Sequence, residues 1–236
     1  MELPRIALYA DLACPYAYVV AYRLRKLRDD YHGRLIVEHK SLSLEYVNRQ
    51  PTPKRVLDSE CPLLMLAEPE LPWEPWHAPL SEWPVTMWHA FEAVKCAERQ
   101  DATLADDLDW AIRTAFFAES RCISMRHVLF ELAEQVGLVM DRFAQDFDSG
   151  QAKEQVMRET RDGWERLKVA GSPTLVLPSG RQVSDSADLG LPEVLVDEQG
   201  YGRVTGLRPA PCTGKDCLEL YRRLLDEVAT KRSGDG

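Results

Sequence analysis

No stretch of about 18 apolar residues occurs anywhere in the chain, so a membrane-spanning helix is not expected. Met1 to Ala10 lack a basic stretch followed by an apolar segment, so a secretory signal is not expected either, and the chain is assigned to the cytoplasm. Basic residues are scarce beside acidic ones: 29 Lys and Arg against 38 Asp and Glu give a formal net charge of −9. That balance excludes a general nucleic-acid binder, because neutralising phosphates needs clustered cations. Six cysteines stand at 14, 61, 96, 122, 212 and 217. No C-x-x-C or C-x-x-H partner accompanies Cys212 and Cys217, so no metal is expected there. In a reducing compartment all six should rest largely as thiols, serving as core residues, metal ligands or redox groups.

The chain is 236 residues long and 45% hydrophobic, enough to bury a core without staples. No internal repeat and no dividing linker is evident, so one domain over 1–236 is expected. Arg5 to Ala10 form a short apolar run ending at Asp11, which predicts a buried first strand. From Cys14 to Tyr31 the period changes. Ala17, Val20, Leu24, Leu27 and Tyr31 recur at three and four residues with Arg and Lys between, the signature of an amphipathic helix. Gly33 ends it and Leu35 to Leu42 supply a second strand, giving a parallel β-α-β unit. Residues 51–84 hold eight of the fifteen prolines and three of the six tryptophans, without sustained periodicity, and read as a long loop. Helical spacing then dominates to about Lys168, with Ser124, Asp141 and Gly150 as caps or breaks. Strand character returns at Pro173 to Leu177. A hairpin is predicted over Glu193 to Thr205 and a last helix over Gly214 to Thr230.

Cys14 falls where the first strand hands over to the first helix, with Pro15 at the first helical position. Unpaired helix N–H groups and the positive end of the macrodipole point at such a sulfur, which predicts a lowered thiol pKa and a nucleophilic Cys14. The segment Asp11-Leu-Ala-Cys-Pro-Tyr-Ala-Tyr18 resembles the active-site segment of the DsbA-like thioredoxin superfamily, particularly its FrnE-type dithiol-disulfide isomerases. The 2-hydroxychromene-2-carboxylate isomerases and kappa-class glutathione transferases are related. Gly171-Ser-Pro-Thr-Leu-Val176 resembles the family's cis-proline loop, and the helical block resembles its inserted subdomain.

The resemblance implies an α/β, thioredoxin-like fold with an all-helical insertion at about 84–168. It implies thiol-disulfide chemistry through Cys14 and Pro15, with a cis peptide before Pro173 and a substrate site shaped by Tyr16, Ser172 and Trp88. It also implies a thiol or disulfide substrate, no tightly bound cofactor, and glutathione or another low-molecular-weight thiol as co-reactant; homodimerisation stays open. One departure matters: Ala17 stands where a dithiol member has its resolving cysteine. Three chemistries remain: a monothiol route resolved by a small thiol, resolution by another cysteine of the chain, or Cys14 holding a thiol cofactor as an isomerase or transferase would. A binding module without catalysis is a further reading.

Cys212 and Cys217 occupy the two positions of a hydrophobic staple if Thr213 caps the last helix. They are expected to touch, either as packed side chains or as an auxiliary redox pair able to form a disulfide. Thioredoxin-like topology would put the start of that helix at the Cys14 end of the sheet. Cys61, Cys96, Cys122, His39, His89 and His127 are expected to be structural.

Overall fold

The computed structural model describes residues 3–197 and 203–230. Its core is a four-stranded sheet of order β2-β1-β3-β4. β1 (Arg5–Ala10) pairs in parallel with β2 (Ile36–Ser41) and antiparallel with β3 (Thr174–Val176), which pairs antiparallel with β4 (Gln182–Val183). Side chains alternate across β1, as the two-residue strand period requires. Ile6 and Leu8 enter the main core, whereas Ala7 and Tyr9 join a smaller cluster with Leu42, Val169 and Trp164 on the other face. There α8 (Gln151–Arg161) continues into a π-helical turn over Asp162–Leu167. A Cβ at Gly163 would lie 2.6 Å from the Leu42 side chain, so only glycine lets this turn approach the sheet so closely.

The fold is thioredoxin-like with an inserted helical subdomain. α1 (Pro15–Leu27) is less one-sided than its spacing predicts: Tyr18, Val19, Arg23 and Leu24 are all buried. Arg23 is tolerated inside because its guanidinium pairs with Glu68 at 2.6 Å and donates to the carbonyls of Leu189 and Gly190. Tyr31 lies beyond α1, in a 3-10 turn over Asp29–Tyr31.

The region 51–84 is not one continuous loop. After the short α2 (Leu44–Asn48), α3 (Lys54–Leu64) buries Leu57, Cys61 and Leu64 at i, i+4 and i+7, with Pro62 confined to its last turn. Helical structure between β2 and β3 therefore begins well before residue 84. The tryptophans of this region anchor the remaining loop: Trp76 and Trp83 meet edge to face at 4.9 Å, and Trp83 packs on Phe116 at 5.3 Å.

α4 (Trp88–Glu98), α5 (Ala102–Phe117) and α6 (Arg126–Gln135) follow the predicted periodicity. α7 (Met140–Asp148) falls within the stretch of helical spacing. Asp141, expected to cap or break, lies inside its first turn, where a carboxylate suits the positive end of the macrodipole. β5 (Glu193–Val196) and β6 (Val204–Arg208) form a separate antiparallel hairpin whose connection includes residues outside the described set. α9 (Lys215–Thr230) thus follows that hairpin and not a strand of the main sheet.

Candidate active site

The turn joining β1 to α1 is fixed from three directions. The Asp11 N–H donates to Ser172 Oγ at 2.8 Å, and its carboxylate accepts the N–H groups of Ala13 and Leu44, each at 2.8 Å. Arg113 on α5 donates to the Asp11 carbonyl at 2.9 Å. Burial pushes the Asp11 carboxyl up to about 6, against the two N–H donors and Arg113. Held this way, the turn delivers Cys14 to the N-cap of α1 with extended backbone, φ −82° and ψ 118°, and Pro15 begins the helix. The Ser172–Pro173 peptide is cis, as the family resemblance implies. Ser172 faces the sulfur: Cys14 Sγ donates to its carbonyl oxygen at 3.2 Å.

The expected lowering of the Cys14 pKa is overturned. Cys14 is only 4% exposed, and burial pushes its thiol up to about 11; the Ser172 hydroxyl and the Ala17 N–H favour the thiolate but are outweighed. A sulfur that donates to a carbonyl is also stabilised as the thiol, so geometry and desolvation act together. The helix terminus alone does not ionise Cys14 in this closed arrangement.

A cleft of about 420 Å³ opens beside the sulfur, lined by Cys14, Tyr16, Leu44, Arg55, Glu60 and Ser172 among others. α2 and α3 supply its outer wall. Tyr16 is positioned by the Val194 N–H, which donates to its hydroxyl at 3.1 Å. Trp88, expected at this cleft, opens α4 instead and packs against the main core; it does not line the cavity. Leu57 on α3 is shared with a second cavity of about 290 Å³, walled by Trp73, Trp76, Trp83 and Phe116.

Cys212 and Cys217 are joined by a disulfide, Cα to Cα 5.2 Å, while Cys14, Cys61, Cys96 and Cys122 are free. The expectation that the pair can bond is met, although it is already oxidised where a resting thiol pair was expected. The helix starts at Lys215, later than the staple reading placed it. The pair packs beside Gly190 and Arg23: a Cβ at Gly190 would come within 2.7 Å of Cys212 Sγ and 3.1 Å of an Arg23 nitrogen. Arg23 is nine residues along α1 from Cys14, a rise of about 13 Å. Neither sulfur lines the Cys14 cleft. The β5–β6 hairpin, not a strand of the main sheet, leads into α9, so the topology from which placement at the Cys14 end was expected is not the one observed.

Beneath the turn lies a buried charged network. Arg113, besides holding the Asp11 carbonyl, pairs with Asp109 at 2.7 Å; Asp109 lies 3.4 Å from His39 Nδ1, and His39 Nε2 lies 2.8 Å from Asp106. Burial alone would lower the His39 pKa, but Asp109 and Asp106 raise it to about 10. Arg113 and His39 likewise hold Asp109 well below the usual carboxylate range against the opposing effect of burial. Asp109 and Arg113 at i and i+4 flank the apolar stripe Leu108, Ile112, Phe116, and that pairing was the readable signal. Among the described residues, no group of three or more His, Cys, Asp or Glu is placed to hold a metal, and no helix is long and apolar enough to cross a membrane.

Comparison with known proteins agrees with this architecture. The family model "DSBA-like thioredoxin domain" matches residues 5–193, and the chain belongs to that family. Cytosolic disulfide reductase DsbM from Pseudomonas aeruginosa is similar in structure, with 21% identity, 94% of this chain and 99% of that chain covered and a TM-score of 0.65. Its form with GSH gives 22% identity, 94% and 98% coverage and a TM-score of 0.54. A 2-hydroxychromene-2-carboxylate isomerase covers 76% of this chain and 87% of its own, with 17% identity and a TM-score of 0.57. No curated protein matches the sequence.

Proposed function

We propose that this chain is a single-domain cytoplasmic thiol-disulfide oxidoreductase or disulfide isomerase in which Cys14 is the sole nucleophile and a low-molecular-weight thiol such as glutathione resolves the mixed disulfide. The observation that carries the proposal is the cleft that opens onto Cys14 beside the Ser172–Pro173 turn, with Ala17 in place of a second cysteine and the Cys212–Cys217 pair elsewhere. In the first step the Cys14 thiolate attacks one sulfur of a disulfide R–S–S–R′, the S–S bond breaks, and R′S⁻ leaves as Cys14–S–S–R forms. A glutathione thiolate then attacks the sulfur of R, giving R–S–S–G and freeing Cys14. A second glutathione completes reduction to RSH and glutathione disulfide. Tyr16 and Ser172 shape the pocket, and Pro15 and Pro173 fix the chain on either side of the sulfur. Cys212 and Cys217 act at most as an auxiliary redox store away from the cleft.

The glutathione-bound DsbM supports a thiol co-reactant, and the isomerase relative supports a second reading in which the chain positions glutathione for isomerisation of a small substrate. Turnover of a glutathionylated peptide by wild type and by Cys14→Ser, alongside a chromene carboxylate, separates them. Loss of disulfide reduction in Cys14→Ser, with no turnover of the chromene substrate, is expected. Chromene turnover without disulfide reduction refutes the proposal in favour of the isomerase; peptide binding with neither activity favours a binding module.

A further inference from the structure

The proposed reaction leaves one requirement unmet: Cys14 rests as a buried thiol whose proton points at the Ser172 carbonyl, and a carbonyl cannot accept it as a base. A nucleophilic thiolate needs an acceptor inside the cleft. Of the side chains that line it, four titrate: Cys14, Tyr16, Arg55 and Glu60. The Tyr16 hydroxyl already accepts the Val194 N–H, and burial raises it to about 12. Arg55 stays a cation. The Asp11 carboxylate, although near, is occupied by two N–H donors and does not line the cavity. Glu60 is different. It projects from α3, the outer wall, into the cleft that contains the sulfur, and among the described residues its carboxylate makes no hydrogen bond or ion pair.

Resting on the oxidoreductase reading, we infer that Glu60 takes the proton from Cys14 as it attacks and returns it to the departing thiol. The balance is complete. The Cys14 thiol passes its proton to the Glu60 carboxylate, directly or through one water, and the thiolate attacks R–S–S–R′. As R′S⁻ leaves, the Glu60 carboxylic acid protonates it to R′SH and is restored as carboxylate. In the resolving half, glutathione gives its thiol proton to Glu60, attacks as the thiolate, and the freed Cys14 thiolate recovers that proton. No oxidant beyond the substrate disulfide and no reductant beyond glutathione is required.

The environment suits this role. Burial pushes the Glu60 carboxyl up to about 7, so it can hold or release a proton near neutrality, where acid-base efficiency is greatest. The titratable groups that share its cleft or feel its charge are Cys14 at the N-cap of α1, Tyr16 on α1, and Arg55 and Cys61 on α3. Of these, Arg55 alone is cationic, and Cys14 and Tyr16 carry their protons at neutral pH.

The test follows exchange between a glutathionylated peptide and glutathione from pH 5.5 to pH 8.5 for wild type, Glu60→Gln, Glu60→Asp and Cys14→Ser, with urea midpoints confirming that each variant folds. In wild type, kcat/KM should bend near pH 7 after correction for glutathione ionisation. Glu60→Gln should lose the bend and about a hundredfold in rate at neutrality, the lower end of what a positioned acid-base group supplies. Glu60→Asp should keep the bend at reduced rate. An unchanged profile in folded Glu60→Gln overturns the Glu60 assignment while leaving Cys14 as nucleophile, provided Cys14→Ser is inactive. An active Cys14→Ser overturns the oxidoreductase reading itself.

Discussion

Replacing Arg113 by methionine keeps most of the side-chain volume and removes a guanidinium that is 1% exposed. Two groups are affected at once. Asp109 keeps His39, at 3.4 Å, and the Asp11 carbonyl loses the Arg113 donor at 2.9 Å while keeping the Cys14 N–H at 3.3 Å. Breaking a buried ion pair by removing one member typically costs about 3–5 kcal/mol. The remaining His39 contact should hold the loss toward the lower end, roughly 3 kcal/mol. For a chain of this size that corresponds to a fall in Tm of about 6–12 °C. Urea unfolding at pH 7, with the m-value checked to be constant, measures it directly. The double variant Asp109→Leu/Arg113→Met should recover part of the loss, since no carboxylate is then stranded. Because Arg113 also holds the Asp11 carbonyl, the single variant should expose Cys14 and speed its alkylation by iodoacetamide. A loss below about 1 kcal/mol, the range of exposed ion pairs, refutes the claim that this network holds the Cys14 turn in place.

Thiol labelling of the ligand-free protein at pH 7 should find half-exposed Cys122 first and Cys14 later, read by peptide mass spectrometry; faster labelling of Cys14 would show that burial does not suppress its ionisation. His39 gives a pH signature on the alkaline side. Its folded pKa of about 10 exceeds the ordinary value of about 6.5, so its stabilisation is complete below 6.5 and is lost as pH rises through 10. Urea midpoints should fall over that window, by at most about 1.4 kcal/mol per pH unit for one proton, and His39→Asn should flatten the fall. An identical slope in the variant would refute it.

Much of this was legible in the sequence because the governing signals are local. A six-residue apolar run, a Cys-Pro step at a change of period and a Ser-Pro before another apolar run mark β1, the start of α1 and the turn beside it. What escaped notice depends on contacts made at a distance. α3 was hidden by the prolines at 51, 53 and 62, although two of them precede the helix and one sits in its last turn. Glu60 carries no sequence signature, because its surroundings come from the start of α1, from α2 and from the Ser172 turn. The Cys14 pKa was read from the helix terminus alone, whereas the walls closing over the sulfur decide its sign. The spacing of Cys212 and Cys217 implies contact but leaves packing and bonding both open, and their distance from Cys14 depends on the hairpin that intervenes.

The burial of α1 on nearly every side has a mechanical consequence. A helix whose arginine is anchored to Glu68 and two backbone carbonyls behaves as part of the chassis, and moving it would strand a charge in the interior. The α2–α3 side is built differently, with half-exposed Leu44, Val56 and Glu60 facing the cavity. Room for a bulky disulfide is therefore gained at far lower free-energy cost by displacing the outer panel than by shifting the nucleophile, so substrates of different size should meet a sulfur that keeps its position.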